Sequence, residues 1–241
     1  MISFLLLLVN SISADCPKVV QIATGLGMKT YEPAILFNLT RDCCFGYGID
    51  CDSKLRVVNI TWPDLTLYGS VSGDLLPSSL KKLSIPNFNI NYDLTVIPPG
   101  LNYLLVSGPV DITAFPASIN TIILDYSTFS SPLPLLPSTV TLLSCYFCKG
   151  LTALPTMPIA ISTYIVSYTF LNGSFPTVPN TVLLPDTMTY FDISYNSLSG
   201  QVPGVDLTNL PYFAINNNNF FLIMEVVNAQ YVDVSYNLFT T

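Results

Sequence analysis

One order of apolar and polar positions recurs along most of the chain. It consists of a proline, two residues, an apolar residue, two residues, an apolar residue, one residue and a final apolar residue, as in Pro77-Ser-Ser-Leu80-Lys-Lys-Leu83-Ser-Ile85. Further clear copies begin at Pro98, Pro116, Pro137, Pro158 and Pro185, and the steps between the six prolines are 21, 18, 21, 21 and 27 residues. Weaker copies without the proline centre on Ile60, Phe213 and Val232.

This repeat predicts a solenoid. A period near 21 residues is too short for a helical hairpin and is typical of one short strand plus a return loop per coil. The last two apolar positions of each copy alternate as in a strand with one buried face. We therefore predict about nine short parallel strands on a concave face, in one elongated unit over residues 55–241 whose last repeat is incomplete. Most of the 19 prolines fall in the return segments, which predicts extended or 3₁₀ turns on the convex face.

The N-terminus indicates export. An apolar run over residues 2–9 is followed by the small residues Ser11, Ser13 and Ala14, a pattern typical of a secretory signal peptide, which we place at residues 1–14. The run is much shorter than the roughly 20 apolar residues of a membrane-spanning helix. We therefore expect a secreted, extracellular protein. Asn-x-Ser/Thr triplets at Asn38, Asn59 and Asn172 are predicted glycosylation sites.

Four of the six cysteines cluster in a predicted N-terminal cap over residues 15–54. An oxidising compartment would bridge Cys16, Cys43, Cys44 and Cys51. Four cysteines allow three pairings, and the adjacent Cys43 and Cys44 do not easily bond to each other, which leaves two.

The last third of the chain resembles the plant-type extracellular leucine-rich repeat. The segment Phe191-Asp-Ile-Ser-Tyr-Asn196-Ser-Leu-Ser-Gly-Gln-Val-Pro203 matches its consensus almost residue for residue, and Asn218 and Asn237 repeat its asparagine. The cap resembles that family too, in Cys16, Asp42-Cys43-Cys44 and Gly48-Ile-Asp-Cys51-Asp. The resemblance implies a leucine-rich-repeat solenoid with a right-handed superhelix, the pairs Cys16–Cys43 and Cys44–Cys51, and asparagines that bond the backbone. Earlier repeats lack the asparagine, so we expect less regular coils there.

The remaining cysteines, Cys145 and Cys148, form a Cys-x-x-Cys pattern. That pattern is also found in redox and zinc sites. Here Cys145 falls on the second core position of its strand and Cys148 on the asparagine position, so we expect both to be buried as free thiols. We expect no metal and no cofactor.

Composition excludes several functions. The chain has no histidine, so no Ser-His-Asp triad and no histidine-ligated metal can form. Its net charge of -7 disfavours nucleic acid, because phosphate contacts need clustered Lys and Arg. We expect no membrane insertion either.

The outward strand positions are rich in aromatic residues. Exposed aromatic side chains in this number are typical of binding patches. The candidate ligand-binding residues are Tyr103, Tyr126, Phe147, Tyr168, Tyr190, Asp192, Tyr195, Tyr212 and Asp233. Asp192 and Asp233 lie two predicted rungs apart, and without a tight acidic cluster we do not expect catalysis, a parallel β-helix glycan-cleaving enzyme being the least favoured alternative.

We therefore predict a recognition module that binds a protein or peptide on its concave face. The resemblance includes secreted inhibitors of pectin-degrading enzymes, so inhibition of a secreted glycan-degrading enzyme is one form of this function. Alternatives are an ectodomain fragment of a receptor-like protein and a structural wall or matrix protein. At the C-terminus we expect an open coil presenting Phe220, Leu222, Val234 and Phe239, which is either a truncated or frayed end or the contact of a homodimer.

Overall fold

The computed structural model describes residues 13–63, 65–176, 184–203, 205–206, 210–223, 226–227 and 230–239. Residues 1–12 of the predicted signal peptide lie outside the described residues, so that prediction stays open. No helix in these ranges is both long and apolar enough to span a membrane.

Three helices, Cys16–Gly25, Met28–Tyr31 and Pro33–Arg41, form the cap, followed by a 3₁₀ turn at Cys43–Phe45. The first helix buries Val19, Ile22 and Ala23, the spacing of one helical face, and Leu26, directly after its end, is buried as well. Cys16 is bonded to Cys43 and Cys44 to Cys51, the pairing that the resemblance implies.

A ten-stranded sheet runs the length of the solenoid. Its first strand, Ile49–Cys51, belongs to the cap and pairs antiparallel with the next, whereas all later pairs are parallel. The nine strands after it, in spatial order, are Val57–Thr61, Lys82–Pro86, Tyr103–Ser107, Thr121–Ile123, Leu142–Ser144, Thr163–Ile165, Tyr190–Asp192, Tyr212–Ala214 and Tyr231–Asp233. The predicted solenoid of nine parallel strands is confirmed, with each strand at the apolar pair that predicted it.

The return segments are mostly extended, and some pair into further parallel sheets that the repeat pattern did not predict. One sheet has the strands Gly69–Ser72, Ile90–Leu94, Pro109–Ile112 and Thr128–Phe129. A second has Asn172–Gly173, Ser197–Val202 and Asn219–Ile223, and a third has Val205–Asp206 and Val226–Val227. One 3₁₀ turn, Gly73–Leu75, lies among the described return segments.

Buried asparagines hold the last coils together. The Nδ2 atom of Asn196 donates to the carbonyl oxygens of Val166 (2.8 Å), Ile193 (3.0 Å) and Ser194 (3.2 Å). Its Oδ1 atom accepts from the backbone N–H of Leu171 at 3.1 Å. Asn218 and Asn237 repeat this arrangement one and two coils later. The implied asparagine ladder is therefore present.

An earlier coil satisfies the same backbone group in another way. Tyr92 lies in a return strand, is 2% exposed, and donates its hydroxyl to the carbonyl oxygen of Ile85. Ile85 is the second core residue of its strand and corresponds to Ile193, whose carbonyl accepts from Asn196. The phenol therefore does in this coil what the asparagine amide does later, while Phe88, at the asparagine position, is exposed.

Cys145 and Cys148 are buried as expected, but the expectation of free thiols is wrong because they are bonded to each other. The chain turns sharply after the strand Leu142–Ser144, which brings their Cα atoms to 5.5 Å, within the range that a disulfide spans. The Sγ atom of Cys148 lies 3.2 Å from the carbonyl oxygen of Leu124, the place that an asparagine amide takes in later coils.

The last described coil is more closed than we expected. Leu222 is exposed, whereas Val234 and Phe239 are half-buried. Phe220 is fully buried, so its expected exposure is wrong: its ring packs in the core at a centroid distance of 6.2 Å from Phe175. Dimerisation through this end stays a prediction.

Candidate ligand-binding face

The outward residues of the ten-stranded sheet stand in register. Phe191 is fully buried between Tyr190 and Asp192, so those two side chains point outward, as alternation in a strand requires. The first outward column contains, rung by rung, Asn59, Lys82, Tyr103, Thr121, Leu142, Thr163, Tyr190, Tyr212 and Tyr231. The structure thus brings Tyr190 and Tyr212 together on adjacent rungs, whereas Tyr103 lies four rungs from Tyr190.

Three tyrosines of that column, Tyr190, Tyr212 and Tyr231, are called here the strand tyrosines. Their rings are stacked, with centroids 4.1 Å and 4.6 Å apart and planes within 6° of parallel. Burial, followed by a hydrogen bond between its hydroxyl and that of Tyr190, raises the pKa of Tyr212 above its ordinary value. The strand tyrosines therefore form one continuous stack across the last three rungs.

A second aromatic column lies in the turns that follow the strands. Tyr126, Phe147, Tyr168 and Tyr195, called here the turn aromatics, all have a left-handed backbone, with φ of 61°, 54°, 56° and 52°. Gly108 precedes them at φ 114° and Asn217 follows at 55°. The turn therefore requires a positive φ, which glycine and asparagine adopt most readily and aromatic residues rarely do.

The turn aromatics also stack on one another. The ring centroids of Tyr126 and Phe147 are 5.6 Å apart, those of Phe147 and Tyr168 are 4.6 Å apart, and those of Tyr168 and Tyr195 are 3.9 Å apart. A hydrogen bond between the hydroxyls of Tyr168 and Tyr195, with a smaller contribution from burial, raises the pKa of Tyr168 to about 12. Tyr126 and Tyr195 remain 47% and 39% exposed, so the edges of the stack face solvent.

Two aromatic residues extend this column and were missed from the sequence. Tyr146 lies edge-on to Tyr126, Phe147 and Tyr168, and Phe88 lies edge-on to Tyr126. Tyr146 lies directly after the second core residue of its strand, a position outside the predicted outward columns. The occurrence of Gly108 and Asn217 in the column of the turn aromatics was the available sign of a positive φ.

Two carboxylates lie on the sheet beside the strand tyrosines. Asp192 and Asp233 are in register with Ala214 between them, so they are two rungs apart. The Oδ1 atom of Asp192 accepts from the backbone N–H and hydroxyl of Ser194, at 2.9 Å and 2.6 Å. Burial, opposed by these hydrogen bonds and assisted by Asp233, raises the pKa of Asp192.

Tyr103 differs from the other predicted tyrosines, because it does not lie in either stack. The ammonium nitrogen of Lys82, its neighbour in the column, lies 4.8 Å from the centroid of its ring. This distance is within the range of a cation–π interaction. The ring of Tyr103 is thus covered by a cation of the protein itself.

The predicted glycosylation sites differ in accessibility. Asn38 and Asn172 are exposed, whereas Asn59 is half-buried in a strand and its Nδ2 atom donates to Asp50 at 2.9 Å. Asn38 and Asn172 are therefore the more accessible acceptors. Occupancy by a glycan stays a prediction.

The aromatic columns form an open surface. Three hollows of about 320, 350 and 360 Å³ are lined by residues of the return segments, and none of the three includes a residue of either stack. Among the described residues, no group of three or more Cys, Asp or Glu is arranged to hold a metal ion. The rings of both stacks thus lie outside these three hollows.

No family model and no curated protein matches the chain. A plant ice-binding protein of known structure is 16% identical, with a TM-score of 0.45 over 93% of this chain and 94% of its own. The PEPR1–AtPEP1 structure is 14% identical, with a TM-score of 0.49 over 86% of this chain and 42% of the other. The ectodomain of the Arabidopsis receptor kinase HAESA, in complex with an extended IDA peptide hormone, is 16% identical, with a TM-score of 0.44 over 92% and 57%.

The chain thus spans about half the length of the two receptor chains. Likeness at this level concerns the course of the backbone alone.

Proposed function

We propose that this protein recognises a protein or peptide ligand on the outward face of its ten-stranded sheet. The observation that supports this most directly is the identity of the turn aromatics. Four consecutive turns need a left-handed residue, and at each of them the chain has an aromatic residue in place of glycine or asparagine.

That choice is unfavourable for the backbone alone. A left-handed conformation costs an ordinary L-residue roughly 1–2 kcal/mol, whereas glycine and asparagine adopt it routinely. Ring stacking returns about 0.5–1.5 kcal/mol per pair. The two terms nearly cancel, so folding stability gives little reason to prefer aromatic residues here. A ligand that contacts the exposed ring edges supplies that reason, since aromatic residues dominate binding hot spots.

We further propose that recognition takes place outside the cell and involves no chemistry by this protein. Three disulfides within the described residues support an oxidising compartment. The surface has stacked rings where an enzyme would have a cleft with poised acid and base.

A pair of substitutions can test recognition with little change to the fold. Phe147→Asn with Tyr168→Asn removes two adjacent stacked rings and introduces a residue suited to positive φ. The matched control is Phe170→Asn, because Phe170 is also aromatic, has φ 58° and is 74% exposed, yet contacts neither stack among the described residues. None of the three changes creates an Asn-x-Ser/Thr triplet.

The purified protein is tested against displayed peptides and against secreted proteins, with glycan-degrading enzymes included because the family resemblance implies them. We expect the double variant to lose about 2 kcal/mol of binding, roughly thirtyfold in Kd, while the control binds as the wild type does. Equal binding by all three proteins would overturn the proposal. Turnover of a glycan by the wild type would instead support the enzyme alternative.

A further inference from the structure

The ends of the stack of strand tyrosines have open ring faces. The ring of Tyr212 lies between those of Tyr190 and Tyr231, so each of these two outer rings is stacked on one face only. The second face of Tyr190 is turned toward the rung of Thr163, which has a short, non-aromatic side chain. Tyr231 lies on the last described strand of the sheet and is 47% exposed, with no ring among the described residues on its second face.

A carboxylate stands beside each open face. Asp192 and Asp233 follow Tyr190 and Tyr231 by two residues on the same strands, so each points outward on the same side as its tyrosine. The Oδ1 atom of Asp233 accepts from the backbone N–H and hydroxyl of its own following serine at 3.0 Å and 2.7 Å, as that of Asp192 does. The Oδ2 atoms accept no hydrogen bond from any described residue, so each is available to a donor.

The molecule itself shows what such a ring face takes. In the same column, four rungs before Tyr190, the ring of Tyr103 is covered by the ammonium group of Lys82 from the adjacent rung. Thr163 occupies the corresponding neighbouring position at Tyr190. The face that Lys82 covers at Tyr103 is therefore open at Tyr190, with the carboxylate of Asp192 beside it.

The second half of the chain cannot supply the cation. All eight Lys and Arg residues lie at or before Lys149, whereas five acidic residues follow it, and they are Asp186, Asp192, Asp206, Glu225 and Asp233. The charge of the face around the strand tyrosines is thus uncompensated by the chain. A cation at this place has to come from another molecule.

We propose that the open ends of the strand tyrosines bind Lys or Arg side chains of a partner peptide, one over Tyr190 beside Asp192 and one over Tyr231 beside Asp233. This inference rests on the proposed function, since it names the chemistry of the ligand for the same face. Ring stack and carboxylate act together: the ring attracts the cation through its π face, and the carboxylate accepts its hydrogen bond.

The spacing of the two sites restricts the peptide. Each cation lies one rung beyond its end of the three-ring stack, as Lys82 lies one rung from Tyr103, so the two sites are four rungs apart, roughly 19 Å. A polyproline II helix advances about 19 Å in six residues and returns to the same side after each turn of three. The partner segment therefore has basic residues at positions i and i+6 in an extended, proline-compatible conformation.

The probe is a blocked proline-based peptide with Arg at positions i and i+6, and its matched control has citrulline, which is neutral and of nearly the same shape, at both. We expect fluorescence anisotropy to show at least about tenfold weaker binding of the citrulline peptide. Asp192→Asn should weaken binding of the Arg peptide by about tenfold, and all proteins are produced in a host without N-glycosylation because this change creates an Asn-Ile-Ser triplet. Asp186→Asn removes the same charge from an exposed turn and should leave its Kd unchanged.

A substitution that adds a group tests the same site from the other side. Thr163→Lys places an ammonium group on the rung beside Tyr190, as Lys82 is beside Tyr103. It should weaken binding of the Arg peptide about tenfold without removing any residue that contacts the peptide. Thr163→Ser is the matched control and should bind normally.

The outcomes separate this inference from the proposed function. Equal binding of the Arg and citrulline peptides, or an unchanged Kd in Asp192→Asn, overturns the inference. If neutral or acidic peptides bind instead and depend on Phe147 and Tyr168, the proposed function stands without it. If no peptide or protein binds in a way that depends on either stack, both fail.

Discussion

In the coils before Lys149, the hydroxyl of Tyr92 donates to the carbonyl oxygen of Ile85, and the disulfide-bonded Sγ atom of Cys148 packs against the carbonyl oxygen of Leu124 without a hydrogen to donate. From Asn196 onward, an asparagine amide donates to the equivalent carbonyl oxygen in each described coil. The outward face changes as well, from one with a lysine over Tyr103 to one with stacked tyrosines and two carboxylates. The repeat thus accepts different buried groups at the same place. Its outward residues differ between the coils before Lys149, called here the first half, and those from Asn196 onward, called here the second half.

The largest difference between the halves is expected in the unfolding free energy lost when a buried polar side chain is removed. Asn196→Ala removes the partner of three carbonyl oxygens and of the Leu171 N–H, and should cost about 3 kcal/mol of unfolding free energy. Ser127→Ala, in the first half, removes one long hydrogen bond of 3.5 Å and should cost under about 1 kcal/mol. Urea unfolding followed by circular dichroism measures both. Equal losses would show that the asparagines are not what distinguishes the second half.

A smaller loss is expected at the border of the halves. Replacing Cys145 and Cys148 together with alanine removes a bond that closes a very short loop, which should cost roughly 2 kcal/mol. The unfolding midpoint in urea checks the cost. Iodoacetamide labelling of the denatured, unreduced wild type checks the bond itself, and two alkylated cysteines at these positions would contradict it.

The substitute for asparagine in the first half can be tested directly. Tyr92→Phe leaves the Ile85 carbonyl without its hydroxyl partner in a site that is 2% exposed, and should cost about 1–2 kcal/mol. Tyr231→Phe deletes the same hydroxyl from a residue that is 47% exposed and should be near neutral. Thermal unfolding of both variants measures the two costs. An unaltered Tm in Tyr92→Phe would show that the Tyr92 hydroxyl does not take the role of the asparagine amide.

The smallest effect concerns charge on the second half. Folding raises the pKa of Asp192, so the folded protein holds this proton more tightly than the unfolded chain does. Stability therefore falls as the pH rises from the unfolded value near 3.9 through the folded pKa, and the penalty persists at higher pH. Asp192→Asn should raise Tm slightly at neutral pH and leave it unchanged at pH 3.

Asp186→Asn is the control for this pH dependence, because it removes the same charge from an exposed turn. Scanning calorimetry from pH 3 to pH 8 provides the measurement. A gain in Asp192→Asn that is the same at both ends of this range would show that burial of the charge is not its cause.

The sequence by itself determined which residues face the core and which face outward. Alternation with period two, anchored by Leu83 and Ile85 and their equivalents, sets the rung register, because a slip by one residue would expose every apolar side chain. For the same reason the columns that contain Tyr190, Tyr212 and Asp192 follow from counting along the repeats.

Tertiary structure alone decided what those columns become. Whether Phe147 stacks on Tyr168 depends on the rung spacing and on a positive φ at both residues. An aromatic residue in the sequence does not indicate a positive φ. Tyr92 points inward because a carbonyl seven residues away needs a donor, and Cys145 bonds Cys148 because the turn brings their Cα atoms close. A pattern of apolar positions records burial, whereas these features depend on the geometry of particular turns and on distances between coils.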